Sequence, residues 1–253
     1  MVSITKLDEV AGWIREAERV TALTGAGIST DSGIPDFRGP NGVWTKDPAA
    51  QRLSHIRHYM QDPEVRVLAW QGRLNHPAWN AAPGPGHHAL ATLERKAKLH
   101  TLVTQNIDGL HQLAGTSEDI LIEIHGTIRE VVCMDCGERA PMQLALERVR
   151  AGEADPPCRS CTGILKSATV SFGQSLDPDD LERASEEAGR SDVLLALGTS
   201  LGVYPVAYLP NRTLERGGRL VIVNAEPTPF DRRAAAVFNA PLSDVLEKLV
   251  ALV

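Results

Sequence analysis

The chain has 253 residues, 43% of them hydrophobic and 23% charged, which is ample material for a buried core and excludes an intrinsically disordered composition. Its net charge of −6, from 26 basic and 32 acidic side chains, argues against non-specific nucleic-acid binding as a first function. The longest strongly apolar run, Val193 to Leu197, is far too short for a bilayer, and no basic-then-apolar signal opens the chain, so a soluble cytoplasmic protein is expected.

In chain order, Leu7, Val10, Ile14 and Ala17 fall on one helical face. Arg19 to Thr24 reads as a buried strand, followed by Gly25-Ala-Gly27-Ile-Ser-Thr30, a turn that lets backbone approach a pyrophosphate. The dinucleotide fingerprint wants a third glycine where Thr30 stands, so this signal alone is weak. Asp31 to Pro40 is too rich in glycine and proline for a helix and reads as a loop presenting Asp36, Phe37 and Arg38. An arginine there can bind phosphate bidentately, or serve as a solvated surface charge. Residues 40–85 carry no strand signal but hold Trp44, Trp70 and Trp79.

Strands are expected at Leu99 to Thr104 and at Ile120 to Ile124, ending in Gln105-Asn-Ile-Asp108 and His125-Gly126. Ile120, Ile122 and Ile124 share one strand face, which leaves His125 on the other with Glu123. An imidazole at a strand end, next to a glycine, is placed for general-base work near neutral pH. Cys133-x-x-Cys136 and Cys158-x-x-Cys161 follow, around a helical stretch from Met142 to Arg150. Two such knuckles complete a closed four-thiolate shell for one structural Zn2+, with redox dithiols or unrelated buried thiols as the alternative.

Pro178 to Ala188 reads as a helix with Asp177 as N-cap and Gly189 as its stop. Asp192 to Leu197 and Leu220 to Asn224 read as strands, the first ending in Gly198-Thr-Ser200, and Leu242, Val245, Leu246 and Leu249 mark a terminal amphipathic helix. Strands alternating with helices predict an α/β fold with a doubly wound, mostly parallel sheet. The two stretches that break the pattern, 40–85 and 126–168, are expected to build a smaller lobe beside the sheet formed by 1–39, 86–125 and 169–253. Ligands bind outside the carboxyl ends of such strands, and all five ends here carry glycines or hydrogen-bonding groups.

These residues, in this order, resemble the sirtuin family of NAD-dependent protein lysine deacylases. The matching segments are Gly25 to Ser29, Gly33 to Gly39, Thr104 to His111, His125-Gly126, both cysteine pairs, Phe172-Gly173, Gly198 to Leu201 and Val223-Asn224. The resemblance implies a Rossmann-type lobe, a lobe carrying structural zinc, and NAD consumed as a co-substrate. The acyl oxygen of a modified lysine attacks C1′ of the nicotinamide ribose, nicotinamide leaves, and the acyl group ends on ADP-ribose. It implies His125 as general base on the ribose hydroxyls and Gln105 as a ribose contact. Asn106 and Asp108 would meet the nicotinamide amide and an ordered water, Asn106 counting with His125 as catalytic. Gly25, Ala26, Gly27, Ser29, Asp36, Phe37, Arg38, Ile107, Gly198, Thr199, Ser200 and Asn224 would line the dinucleotide site. Phe172, Gly173, Gly202 and Val203 would offer backbone to an acyl-lysine peptide added as a strand. No nucleic-acid or membrane partner is implied.

Two departures bear on specificity. Gln174 stands where the family commonly has glutamate, which leaves peptide preference open. Sirtuins favouring acidic acyl chains carry Tyr-x-x-Arg, and Trp70-Gln-Gly-Arg73 keeps only the arginine. The expectation is therefore a preference for simple uncharged acyl groups, with Trp70 as a core residue and Arg73 as a surface charge. The resemblance also leaves a desuccinylase-type deacylase or a protein ADP-ribosyltransferase as alternatives, and two rivals stand outside it: an ordinary NAD-dependent dehydrogenase, and a zinc ribbon gripping nucleic acid. The second is weak, because residues 126–168 hold six basic and six acidic side chains.

Overall fold

A run such as Val193 to Leu197, apolar at every position, is stable as a strand only when both of its faces are covered. The computed structural model, which describes residues 4–37, 39, 42–46 and 54–253, puts this run at the centre of a six-stranded sheet. The strands of the molecule are β1 (Val20–Thr24), β2 (Thr101–Thr104), β3 (Leu121–Glu123), β4 (Gly126–Cys133), β5 (Arg139–Pro141), β6 (Leu165–Thr169), β7 (Val193–Leu197), β8 (Arg219–Val223) and β9 (Ala236–Phe238). The large sheet has the order β3-β2-β1-β7-β8-β9, with every neighbouring pair parallel. Strand order thus reverses between β1 and β7, and that switch point is where α/β sheets open a ligand crevice.

The pleat divides the core. Val193, Leu195 and Leu197 of β7 face one layer, with Leu7 and Ile14 of helix Ile4–Glu16, Leu90 and Leu93 of helix Pro85–Arg95, and Val245, Leu246 and Leu249 of helix Leu242–Leu252. Leu194 and Ala196 face the other, with Ala184 and Ala188 of helix Pro178–Arg190 and with Leu209. A third cluster lies outside the sheet. It joins Trp70 of helix Pro63–Leu74 to Val131, Cys133, Leu146 of helix Met142–Arg150, Cys158 and Leu165. Trp70 is 1% exposed, and truncating an aromatic side chain so buried costs about 3–5 kcal/mol. Beside this cluster β5, β4 and β6 form a small antiparallel sheet, and Arg66 ties the helix to the cysteine module through Asp155 at 2.7 Å.

Two expectations change. The helix from Pro178 continues through Gly189 to Arg190, because Gly189 does not take the left-handed conformation and the extended Ser191 ends the helix instead. Ile120 precedes β3 and packs with Leu121 on the first layer, whereas Ile122 and Ile124 belong to the second. The helix Pro63–Leu74 runs unbroken past Gly72, so Trp70 and Arg73 do share a helix face.

Candidate active site

Glycines at the switch point are required by close approach. The turn after β1 enters a 3₁₀ helix, Ala26–Ser32, and interlocks with the turn after β7: Gly25 N–H donates to Leu197 C=O at 3.0 Å and Gly27 N–H to Gly198 C=O at 2.9 Å. A Cβ on Gly27 would stand 2.7 Å from the Gly198 Cα, so no larger residue fits. Above these turns a cleft of 1280 Å³ runs between the sheet's carboxyl ends and the small lobe.

Side chains at the strand ends lock one another. Asn106, 8% exposed, donates to Gly25 C=O at 3.1 Å and to Ser29 Oγ at 3.0 Å. Ser29 Oγ donates its own hydrogen bond to Asp108 Oδ2 at 2.7 Å, while Asp108 Oδ1 accepts from Leu110 N–H at 3.0 Å. Gln105 Nε2 donates to Thr199 Oγ1 at 2.9 Å, joining the β2 loop to the β7 loop. Behind Ser29 lies His87, whose Nδ1 accepts from Gly84 N–H at 3.1 Å, so its proton sits on Nε2, 3.4 Å from Ser29 Oγ. Burial pushes His87 down to about 4, and the neighbouring His111 to about 3, so both are neutral.

His125 stands at the mouth of this network. Its Nδ1 lies 3.0 Å from Gln105 C=O, a group that only accepts, so Nδ1 carries the proton and Nε2 keeps a free lone pair. Burial lowers its pKa below the ordinary 6.5, with the carbonyl bond opposing, and the ring is a neutral base at pH 7.

The four cysteines converge in the small lobe, their Sγ atoms all within 4.8 Å of one another. Cys133 and Cys161 are separated by 3.4 Å and Cys136 and Cys158 by 3.8 Å. Tetrahedral zinc with Zn–S bonds of ~2.3 Å needs sulfur atoms about 3.8 Å apart, so this thiolate set fits the ion with no position for water.

The Sir2 family signature matches residues 25–205. The chain belongs to the Sir2 family. It is 50% identical over 231 residues to the NAD-dependent protein deacetylase 2 of Streptomyces coelicolor, covering 91% of this chain and 96% of that relative. Against the NAD-dependent protein deacetylase 1 of Pyrobaculum aerophilum it is 43% identical, covering 97% and 94%. Its fold matches a solved Sir2–p53 peptide–NAD+ complex with a TM-score of 0.85 at 34% identity, covering 96% of each chain. A solved Sir2 bound to acetylated peptide matches at 0.86 and 32% identity, covering 97% of each.

Within this Sir2 fold, Gly25, Ala26, Gly27, Ser29, Asp36, Phe37, Gln105, Asn106, Ile107, Asp108, His125, Phe172, Gly173, Gly198, Thr199, Ser200, Val203 and Asn224 all border the one cleft. Gly202 adjoins Val203 but does not line it, and Arg38 lies outside the described residues. Gln174 Oε1 accepts from Ser171 N–H at 3.2 Å and closes its own turn.

Arg73 is a correction. It is not a surface charge but lines the cleft, with Nε 3.1 Å from Ser167 Oγ, because helix Pro63–Leu74 packs its Trp70 face onto the module's core. Trp70 is a core residue, as expected, and also borders the cleft. Sequence reasoning missed Lys166, 2% exposed on the same wall, whose Nζ donates to the carbonyls of Ser167, at 3.1 Å, and Thr169. Burial, then the Arg73 charge, pushes this amine down to about 7. No signal marked it: a lone lysine between Leu165 and Ser167 reads as an ordinary exposed charge.

Proposed function

We infer that this chain is an NAD-dependent protein lysine deacetylase. The observation that carries the reading is His125, held by the Gln105 carbonyl with its free nitrogen at the cleft, beside the interlocked Asn106–Ser29–Asp108 network. NAD+ supplies the electrophilic C1′ at which the acyl oxygen of the lysine displaces nicotinamide. His125 takes a ribose hydroxyl proton on Nε2, and Gln105 and Asn106 hold the ribose and amide. Asp108 orients the nicotinamide carboxamide, its carboxylate fixed by Ser29 and the Leu110 amide. Gly25, Ala26, Gly27, Ser29, Asp36, Phe37, Arg38, Ile107, Gly198, Thr199, Ser200 and Asn224 cradle the dinucleotide. Phe172, Gly173, Gly202 and Val203 present backbone to the peptide. Phe172 contributes by holding this segment extended beside Gly173, since its own N–H donates to Ser54 C=O and its C=O accepts from Ile56 N–H.

On this reading residues 1–39, 86–125 and 169–253 bind the dinucleotide, while 40–85 and 126–168 supply the far wall. Cys133, Cys136, Cys158 and Cys161 hold zinc, and the closed shell makes the ion structural. A dehydrogenase would return its cofactor intact and reduced.

The favoured acyl group is acetyl. Trp70 lacks a hydroxyl, its indole N–H is buried without a partner, and Arg73 Nε is engaged by Ser167. A second reading, an acidic acyl chain, is favoured by one observation: the half-buried guanidinium of Arg73 and the buried amine of Lys166 lie on one wall of the cleft. Incubation with NAD+ and a panel of acyl-lysine peptides, followed by mass, tests both. Acetyl removal ahead of succinyl supports the first, and the reverse order the second. Peptides left intact would sink the deacylase reading.

A further inference from the structure

Between Gly126 and Val131, β4 loses its pairing with β6, although Glu130 still pairs with Pro141 of β5. The strand pairs with β6 at Gly126 opposite Thr169, loses register, and resumes at Val131 opposite Ser167. Bulges of this kind re-aim groups near active sites. Here the freed stretch turns onto the loop after β2. Ile128 N–H donates to Ile107 C=O at 2.9 Å, and Arg129 Nη2 donates to Asp108 C=O at 3.1 Å. The guanidinium lies against Gly109, whose φ is +71° and where a Cβ would stand 2.0 Å from Arg129 Nε. Burial raises the pKa of Glu123, at the end of β3, and the Arg129 charge opposes that rise. Among the described residues Arg129 forms no ion pair, so its cation is aimed at a backbone carbonyl between Asn106 and the helix that Gly109 caps.

We propose that Arg129 is a positioning residue for nicotinamide recognition: from the zinc-bearing strand it fixes the Asp108 peptide, and so the direction in which Asn106 and Asp108 present their side chains. This rests on the deacetylase reading above. It makes the zinc lobe a part of the nicotinamide site, although none of the four cysteines reaches the cleft. A lobe-to-lobe tie without effect on nicotinamide is the competing role.

The test compares Arg129→Met, which keeps an aliphatic stem over Gly109 and removes the donor, with Arg129→Lys, which keeps charge and donor. Nicotinamide inhibition, KM for NAD+, KM for an acetyl-lysine peptide, zinc content and melting temperature are measured together. Arg129→Met should raise the NAD+ KM and the nicotinamide inhibition constant about three- to tenfold, the size of one net hydrogen bond. Peptide KM and zinc content should stay at wild-type values, and Arg129→Lys should recover most of the loss. Wild-type nicotinamide inhibition in Arg129→Met would overturn the proposal, as would a defect that appears only with zinc loss or a raised peptide KM. Should Arg129→Met fail to fold, Arg129→Leu, which also lacks a donor, carries the same expectation and the same refutation. A wild-type protein that released no nicotinamide from NAD+ would refute the functional reading instead.

Discussion

The two walls of the cleft are built on different principles. On the sheet side, backbone turns and amide or hydroxyl side chains satisfy one another around one fully buried carboxylate, Asp108. On the small-lobe side, half-buried Arg73 and buried Lys166 rest against a hydroxyl and carbonyls, with no ion pair to a carboxylate among the described residues. A wall whose polar groups are already paired holds its geometry without reorganising when a ligand arrives. Uncompensated buried charge is costly and responds to whatever sits beside it. On the proposed reading the sheet wall therefore carries the shared chemistry, and acyl choice falls to the small-lobe wall.

Removing the support of the small lobe gives the largest effect. Cys158→Ala should abolish stoichiometric zinc, lower the melting temperature and eliminate activity, although no cysteine lines the cleft. Full activity and unchanged heat stability in a zinc-free variant would contradict a structural ion.

Next comes the sheet wall itself. His125→Ala should cut turnover by a factor on the order of 10²–10⁴ while leaving NAD+ binding in place, since imidazole serves proton transfer rather than affinity. Near-normal turnover would mean that the base has been misassigned.

A smaller effect concerns pH. His125 must be neutral to act, and burial lowers its pKa, so the acid limb of kcat/KM should fall below pH 6.5. Stability should decline over an overlapping range. His76, His87 and His111 are depressed to about 4, 4 and 3, so the unfolded chain binds protons first as pH drops through 6.5. Melting temperature should therefore fall steadily from pH 6.5 toward 4. A flat profile across that window would show that these rings are accessible in the native state.

The subtlest prediction sharpens the contrast between the walls. Arg73→Met should leave the acetyl preference intact and change succinyl kcat/KM only within about tenfold, given that Arg73 Nε is engaged by Ser167. Faster succinyl than acetyl turnover in wild type, collapsing in the variant, would move the acyl assignment to the acidic reading.

The same division governed what the sequence revealed. Strands buried on both faces announce themselves as unbroken apolar runs, and their ends as glycines and amides, so β1, β2, β7 and β8 and the turns after them were legible. The short β9 at the sheet edge was not. In the small lobe β4 mixes buried and half-exposed positions without regular alternation and is bent by its bulge, and β5 is three residues long. Neither makes a periodic signal. Cysteine spacing exposed the metal shell, but the placing of Arg73 and Lys166 on the cleft wall comes from how helix Pro63–Leu74 docks on β6, a tertiary fact without a local mark. Arg129 was missed for the same reason: its partner is a carbonyl 21 residues away.

The central claim is that the cleft consumes NAD+ and moves an acyl group, and one stoichiometry tests it. With NAD+ and an acetyl-lysine peptide, the account predicts one nicotinamide released per lysine freed, with the acetyl mass recovered on ADP-ribose. Reduced cofactor with intact nicotinamide, or lysine freed without nicotinamide release, would contradict it.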